Sequence, residues 1–503
     1  MSPSTQSTDR TLIAVAVLAS FVAFLDGSVV NLALPAISAE FGGGLALQQW
    51  VVDGYLLALG ALILVAGAVS DQFGRLTVLR TGLALFAVAS LLCAVSPTGW
   101  FLVAARCLQG VGAAFLVPSS LAMINARFTG VRQAGAIGTW TAWTGTAFVV
   151  GPPLGGLLVD ALSWRWVFGI NLVPLAVTLY LTTRLIVPGR RSVATGGKAE
   201  EGLGGRRSAR IDVVGAVLGA VGLTAAVYAL IERQRLGASH PAVLAGYLLG
   251  AACLVAFPLW ERRTPNPIMP LHLFAARNFA VGNIATVFLY AAVSLGTLLV
   301  ALFLQEAVGM SASQAGLATL PLPVLSFLLA RRFGTLAGRH GPRVYMAVGP
   351  LIAAAGFLLL TTARAPFDFW TQMLPGLVVF GVGLSVTVSP LTAAVLAAVD
   401  PDESGIGSAV NNAVSRVAGL IAVAFAGVIV SMGRSSDEIA STAMDFAGFR
   451  QGSAAVAVLF AVAGLVSAIG ISNRQCDIGR VSPEASARSH DRAAPPPALS
   501  APD

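Results

Sequence analysis

The sequence predicts an all-α integral membrane protein, and three observations predict it. Hydrophobic residues make up 56% of the 503 positions and charged residues only 11%. A soluble chain of this length needs a more polar surface, so most of the outside must meet lipid. Long apolar runs recur through most of the chain, separated by short polar segments, and the basic residues gather on alternate segments.

Runs of roughly 18 or more mostly apolar residues mark membrane-spanning helices. Fourteen are predicted. The first seven lie at about 11–36, 49–69, 78–96, 100–125, 134–159, 166–186 and 212–231. The next seven lie at about 242–260, 279–304, 313–330, 344–362, 370–398, 405–432 and 453–471. Glycine and proline inside such runs do not veto them, since both are tolerated in membrane helices. The first run contains Asp26 and continues to Pro35, which is read as its end. That is too long for the apolar core of a cleavable signal, so the run is expected to stay as the first span.

Charge tests this count. With the N-terminus placed in the cytoplasm, 23 of the 31 Lys and Arg fall on cytoplasmic segments and 6 on the opposite side. Two more, Arg106 and Arg416, stand inside spans. The bias predicts an even number of spans with both termini cytoplasmic; twelve is the alternative if two runs are misread. It also explains the net charge of +8 without nucleic acid, because no basic face interleaved with aromatics is present for a phosphate backbone to follow. The basic residues are almost all Arg, and with abundant Ala, Gly and Val this composition points to a high-GC bacterial source.

An internal repeat divides the chain. Gly67 and Gly74 are seven apart and followed by Arg75, after the second span; Gly334 and Gly341 are seven apart and followed by Arg343, after the tenth. This predicts two six-helix bundles, residues 1–187 and 279–471, with an inserted helix pair at 212–260. Two related halves are the architecture of proteins that rock about a midplane site. The stretch 188–211, rich in Gly, Arg and Ser, reads as a flexible cytoplasmic linker, and 472–503 as a disordered cytoplasmic tail.

Charges inside lipid are costly, so each one invites a functional reading. Asp26 lies about fifteen residues into the first span, roughly 22 Å along the axis of a hydrocarbon core ~30 Å thick. A carboxyl there can exchange a proton near neutral pH, against the plainer reading of a structural Asp satisfied by neighbouring donors. Arg106 stays charged under all relevant conditions and must find a partner inside the bundle; Asp26 is the expected one, the two forming a proton-coupling pair. Arg416 is a second buried cation, weighed against simple packing. Asn31, Gln109, Asn411 and Asn412 are polar residues on the expected substrate pathway. Asp53, near the outer end of the second span, is expected either to meet substrate at the mouth or to face water. Gly110 and Gly112 permit close helix approach. Gly151, Pro152, Pro153, Gly155 and Gly156 in the fifth span predict a kinked, tightly packed seam.

These residues together resemble the major facilitator superfamily, in its fourteen-helix drug:proton antiporter branch, from about Asp26 to the end of the last span. Gly67, Asp71, Gly74, Arg75 and Arg80 match the loop signature after the second helix, and the resemblance implies a gating contact there; Leu76 departs from it. Leu102, Arg106, Gln109, Gly110 and Gly112 match the fourth-helix motif linked with proton coupling. Gly138, Gly151, Pro152, Gly155 and Gly156 match the fifth-helix motif of antiporters, with Ala147 where Gly is usual. Asp26, Asn31 and Pro35 fit the first-helix motif, and Ser163-Trp164-Arg165-Trp166 with Asn171 fits the turn between helices five and six.

The resemblance implies the major facilitator fold and a proton-coupled exporter of small amphipathic compounds such as drugs, antibiotics or toxic cations. It implies a protein of a bacterial cytoplasmic membrane that acts as a monomer and needs no cofactor. A dedicated exporter of one endogenous metabolite is the alternative, and the permease of an ATP-driven pump a more distant one. The chain's single Lys, Lys198, lacks the Gly-rich phosphate-loop pattern. The four cysteines (Cys93, Cys107, Cys253, Cys476) form no CxxC pair, and His240, His272, His340 and His490 lie in loops or tails. No metal site, disulfide framework or nucleophilic constellation is expected, hence no enzyme.

Overall fold

The computed structural model describes residues 3–128, 130–185, 212–265, 267–400, 403–430 and 444–473. Among them fourteen helices are long and apolar enough to span a membrane. The first seven are α1 (Thr8–Phe41), α2 (Gly44–Gly67), α3 (Arg75–Ala94), α4 (Gly99–Arg127), α5 (Gly135–Ala161), α6 (Trp166–Arg184) and α7 (Val213–Leu236). The rest are α8 (Pro241–Glu261), α9 (Arg277–Ala307), α10 (Ala312–His340), α11 (Arg343–Leu360), α12 (Phe369–Leu396), α13 (Ile406–Val430) and α14 (Phe446–Gly470). The predicted linker at 188–211 lies outside the described residues, as does the tail beyond Asn473.

Every predicted span has its helix. The first is longer than the sequence suggested, because helix runs through Pro35 to Phe41. Proline's fixed φ is already helical, and its missing N–H costs one acceptor contact, at the carbonyl of Asn31 four residues back. In a packed bundle that carbonyl can be satisfied by neighbours, so the helix continues. The tenth span is also longer than predicted, with its regular helix interrupted at Thr319 and Leu320 before resuming at Pro321.

Helix packing repeats along the chain. In the first set α1 packs on α4, α5 and α6, α2 on α4, and α3 on α4 and α6. In the last set α9 packs on α12, α13 and α14, α10 on α12, and α11 on α12 and α14. Adding eight to each helix number converts one pattern into the other. The sets meet through α2 against α13 and α5 against α10, which are also equivalent under that exchange. The intervening α7 packs on α8 and on both α2 and α13. Large apolar side chains face outwards, Leu248 on α8 and Ile469 on α14 being 74% and 75% exposed, as expected of a surface whose solvent is hydrocarbon.

The two sets close at one end. Call the face holding the turns at 42–43 and 308–311 the far face, and the face holding the N-terminus the near face. There Asp160 of α5 accepts from the backbone N–H groups of Ala312 and Ser313 at 3.1 and 2.8 Å, capping α10 from across the seam. Gly156 makes this approach possible, since a Cβ on it would stand 2.3 Å from the carbonyl oxygen of Ala312. Gln48 donates to Glu306 at 2.6 Å, and Gln49 to the carbonyls of Val423 and Ala424 at 2.6 and 3.1 Å. Between described residues, all hydrogen bonds joining α1–α6 to α9–α14 belong to this far-face group. Towards the near face the second segment of α10, Pro321–His340, buries only Ala337.

Gly156→Val is expected to hold α5 and α10 apart. In purified protein, a cysteine introduced at Ser313 should then react with maleimide several-fold faster than in the Gly156 background. Equal rates would show that closure does not depend on this contact.

Candidate functional site

Five helices converge on one buried carboxylate. Asp26 of α1 is fully buried and Arg106 of α4 is 1% exposed. The guanidinium Nη1 meets Asp26 Oδ2 at 2.6 Å, and the same nitrogen donates to Gln109 Oε1 at 2.6 Å. Arg106 Nε donates to the backbone oxygen of Val51 in α2 at 3.0 Å. Gln109 Nε2 donates to Asp26 Oδ1 and to Ser90 Oγ of α3, each at 2.9 Å. Asn171 at the start of α6 donates to Asp26 Oδ1 at 2.9 Å. The carboxylate thus accepts from one cation and two amides.

Local sequence makes the convergence possible. Gln109 stands three residues after Arg106, one turn along α4, so both side chains reach the same side of the helix. Gly110 lets α4 lie against α2: a Cβ there would fall 2.3 Å from the carbonyl oxygen of Tyr55. Tyr55 in turn lies beneath the guanidinium, 4.5 Å from its central carbon to the ring centroid, a cation–π contact that supports a charge where water is scarce. The circuit explains how two charges persist in the membrane zone. Each loses its hydration, and mutual pairing together with the surrounding amide, backbone and hydroxyl hydrogen bonds offsets that cost.

The structure brings Asp26, Arg106 and Gln109 together and leaves the other sequence-selected residues elsewhere. Asn31 is half-buried one and a half turns further along α1. Asn411 reaches α9, donating to Asn283 at 3.1 Å and Thr286 at 2.9 Å, and Asn412 donates to the Ser408 carbonyl at 3.1 Å. Arg416 faces α1 and α2. Asp53 is fully buried, and neither of its carboxyl oxygens has a hydrogen-bond partner; in this state it stands neither at an open mouth nor in water. Gln49, Asp53 and Gly60 fall within about 40° of one another around α2. Gln49 and Gly60 both touch α13, so Asp53 lies on the α2 face that forms the seam.

In the loop signature, Gly74 makes the turn between α2 and α3 with φ of 94°, a backbone conformation that suits glycine. Arg75 donates to the Ala122 carbonyl of α4 at 2.8 Å, and Arg80 to Thr182 of α6. Both contacts stay within the first helix set. The Asp71 side chain lies outside the described residues, and Gly67 and Gly138 have open space where a Cβ would stand. In α5, Gly151 and Gly155 pack on Ser28 and Val29 of α1, while Gly156 and the Pro152 carbonyl meet α10.

Sequence reading missed Ser90, Asn171, Gln48, Asp160, Glu232 and Glu306 as site or seam residues. Asn171 had a signal, in its place within the turn between helices five and six. The acidic residues at span ends had one as well, because Asp160 and Glu306 interrupt otherwise apolar termini.

Comparison with known proteins gives the family. The family model described as Major Facilitator Superfamily matches residues 16–423. The chain belongs to the major facilitator superfamily. Among similar superfamily members, the puromycin resistance protein pur8 of Streptomyces alboniger is 37% identical over 417 residues, covering 81% of this chain and 78% of that one. The methylenomycin A resistance protein of Bacillus subtilis is 32% identical over 433 residues, covering 85% and 89%. A crystal structure of an auto-inhibited POT family peptide transporter aligns with a TM-score of 0.65 over 93% of this chain and 97% of that one, at 16% identity; at that identity the likeness speaks for the fold alone.

Arg106→Ala would strand Asp26 as an unpaired buried charge, which typically costs about 3–5 kcal/mol. A marked drop in thermal stability in detergent is expected, with much of it recovered by Asp26→Asn in the same chain. Additive losses in the double variant would mean that the pair is not coupled.

Proposed function

We propose that this superfamily member is an antiporter that exports small amphipathic organic compounds in exchange for protons. The observation that carries this is the closed circuit around Asp26. A carboxylate held by one arginine can serve as a proton carrier when protonation removes its charge, because the guanidinium then loses its partner and must seek another or meet water. Proton binding and helix rearrangement are thereby coupled at a single bond. The names of the two resistance proteins support export as the direction of use.

The far-face seal and the sparsely packed near half of α10 describe one end of an alternating cycle. In this state Asp26 is paired, as it would be after giving up its proton, and the near side is the open one. The reading places both termini in the cytoplasm of a bacterial cell, as the excess of basic residues on that side supports. Substrate then enters from the cytoplasm between the two helix sets. Opening the far face would expose Asp26 to external protons and release substrate there. The protein works as a monomer in this scheme, since each chain contains both helix sets and the seam between them.

Inside-out vesicles with an imposed proton gradient and a panel of dyes and antibiotics test this. Asp26→Asn should abolish gradient-driven accumulation, by about two orders of magnitude or more if proton transfer is the coupled step. Its equilibrium binding of the same dyes should persist. Wild-type rates in Asp26→Asn, or transport surviving collapse of the gradient, would overturn the reading.

A further inference from the structure

Arg416 stands near the middle of α13 and faces the first helix set. A Cβ on Gly60 of α2 would lie 3.8 Å from the Arg416 Cβ. The guanidinium carbon lies 5.6 Å from the centroid of the Phe24 ring on α1. Tyr55 of α2 and Tyr290 of α9 are near enough to feel its charge. The residue as a whole is half-buried, its Nε is buried with no hydrogen-bond partner, and among the described residues no carboxylate or carbonyl accepts from the guanidinium. Arginine does not shed its proton to escape such a place, and a cation at membrane depth without a protein acceptor favours a site where an anion can pair with it.

None of the described carboxylates pairs with Arg416. Asp26 already accepts from Arg106, Gln109 and Asn171. Asp53 lies seven residues from Gly60, roughly 10 Å along α2 towards the far face, and is shut into the seam. The remaining surroundings are aromatic: Phe24 packs on Phe148 and Trp140 of α5, with centroids 5.6 and 6.4 Å apart. A guanidinium lacking an acceptor beside an aromatic strip fits a ligand with a single anionic group and a flat apolar body. The fork of N–H donors matches a carboxylate, and the rings match the remainder of such a molecule.

We propose that Arg416 is the anion-recognising residue of the substrate site, and that the exported compounds are amphipathic organic anions, carboxylates above all. This rests on the exporter reading and narrows it from the cationic drugs expected from the resemblance, because the nearest unpartnered carboxyl along α2, Asp53, is fully buried in the seam. An arriving anion would supply the counter-charge that the resting state lacks. It would do so at the contact between α13 and the helix that carries Asp26, so substrate and proton would act on the same seam.

Carboxyfluorescein and ethidium serve as aromatic probes of opposite charge. Binding to purified protein is read by tryptophan quenching, and transport by accumulation in inside-out vesicles under a proton gradient. Wild type should bind carboxyfluorescein in preference to ethidium. Arg416→Gln should weaken carboxyfluorescein binding roughly tenfold or more, as loss of charge-assisted hydrogen bonds does, and leave ethidium unchanged; Arg416→Lys should retain part of the affinity. Wild type that binds ethidium but not carboxyfluorescein, or Arg416→Gln that binds carboxyfluorescein as tightly as wild type, overturns the proposal. Should Arg416→Gln not fold, Arg416→Lys and the wild-type preference decide it alone. Carboxyfluorescein binding that depends on Arg416 without gradient-driven transport of either probe supports the anion site and overturns proton-driven export instead.

Discussion

The ion pair between Asp26 and Arg106 constrains the rest of the first helix set. Neither charge can be left alone in hydrocarbon, and the pair is tolerable because further hydrogen bonds around it offset the lost hydration. That demand fixes where α2, α3, α4 and α6 stand relative to α1. Val51 must turn a backbone oxygen towards the guanidinium, Ser90 must accept from Gln109, and Asn171 must reach the carboxylate. Gly110 follows from the same constraint, because a side chain there would hold α4 away from α2. Packing and electrostatics here are one requirement, met by small residues at the contact and polar ones at the centre.

Closure at the far face is built on different physics. Besides the Gln48–Glu306 contact, it uses side chains from one helix set on backbone groups of the other: Asp160 on two N–H groups, Gln49 on two carbonyls. Such bonds are individually modest and can be exchanged for water at the membrane surface, which suits a contact that must break in every cycle. The inserted α7 joins this group through both sets. Its Glu232 accepts from Trp50 at 3.0 Å and its Gln234 donates to Gln49 at 3.1 Å, while Gly427 of α13 packs directly against Gln234. The helix pair is therefore part of the seam and moves with one side of it or unlocks from both.

The fold was largely legible because lipid imposes a simple rule: apolar runs of sufficient length become helices. Where that rule met a local one, the local one misled. Pro35 reads as a stop in water, yet α1 passes through it, since bundle neighbours can replace the lost hydrogen bond. Asp26 and Arg106 were readable as a pair because rarity alone singles out charges in apolar runs. Their other partners were harder to find: Asn171 showed only as part of the turn between helices five and six, and Ser90 looks ordinary until tertiary packing brings α3 to the same point. Asp53 shows the limit of judging depth from position along a helix. It lies close to a span end, yet the meeting of α2 with α13 buries it completely, a fact set by residues more than 350 positions away.

Charge is divided unequally between the two helix sets, and that division bears on coupling. Within the spans of the second set the sequence places one carboxylate, Glu306, and it is spent at the far face on Gln48 and the N–H of Met444. No carboxyl on α9–α14 is therefore placed to carry a proton through the middle of the membrane, and on the proposed reading that task falls to the first set. The second set contributes Arg416 at the same level. Phe24, the ring beneath its guanidinium, is two residues from Asp26 on α1, and Tyr55 lies under Arg106. A shift of α13 that moves Arg416 therefore acts on the segment of α1 that carries Asp26. Proton and substrate need not share a site to influence one another; on the proposed reading the carboxylate that takes the proton and the cation that takes the anion both bear on the same segment of α1.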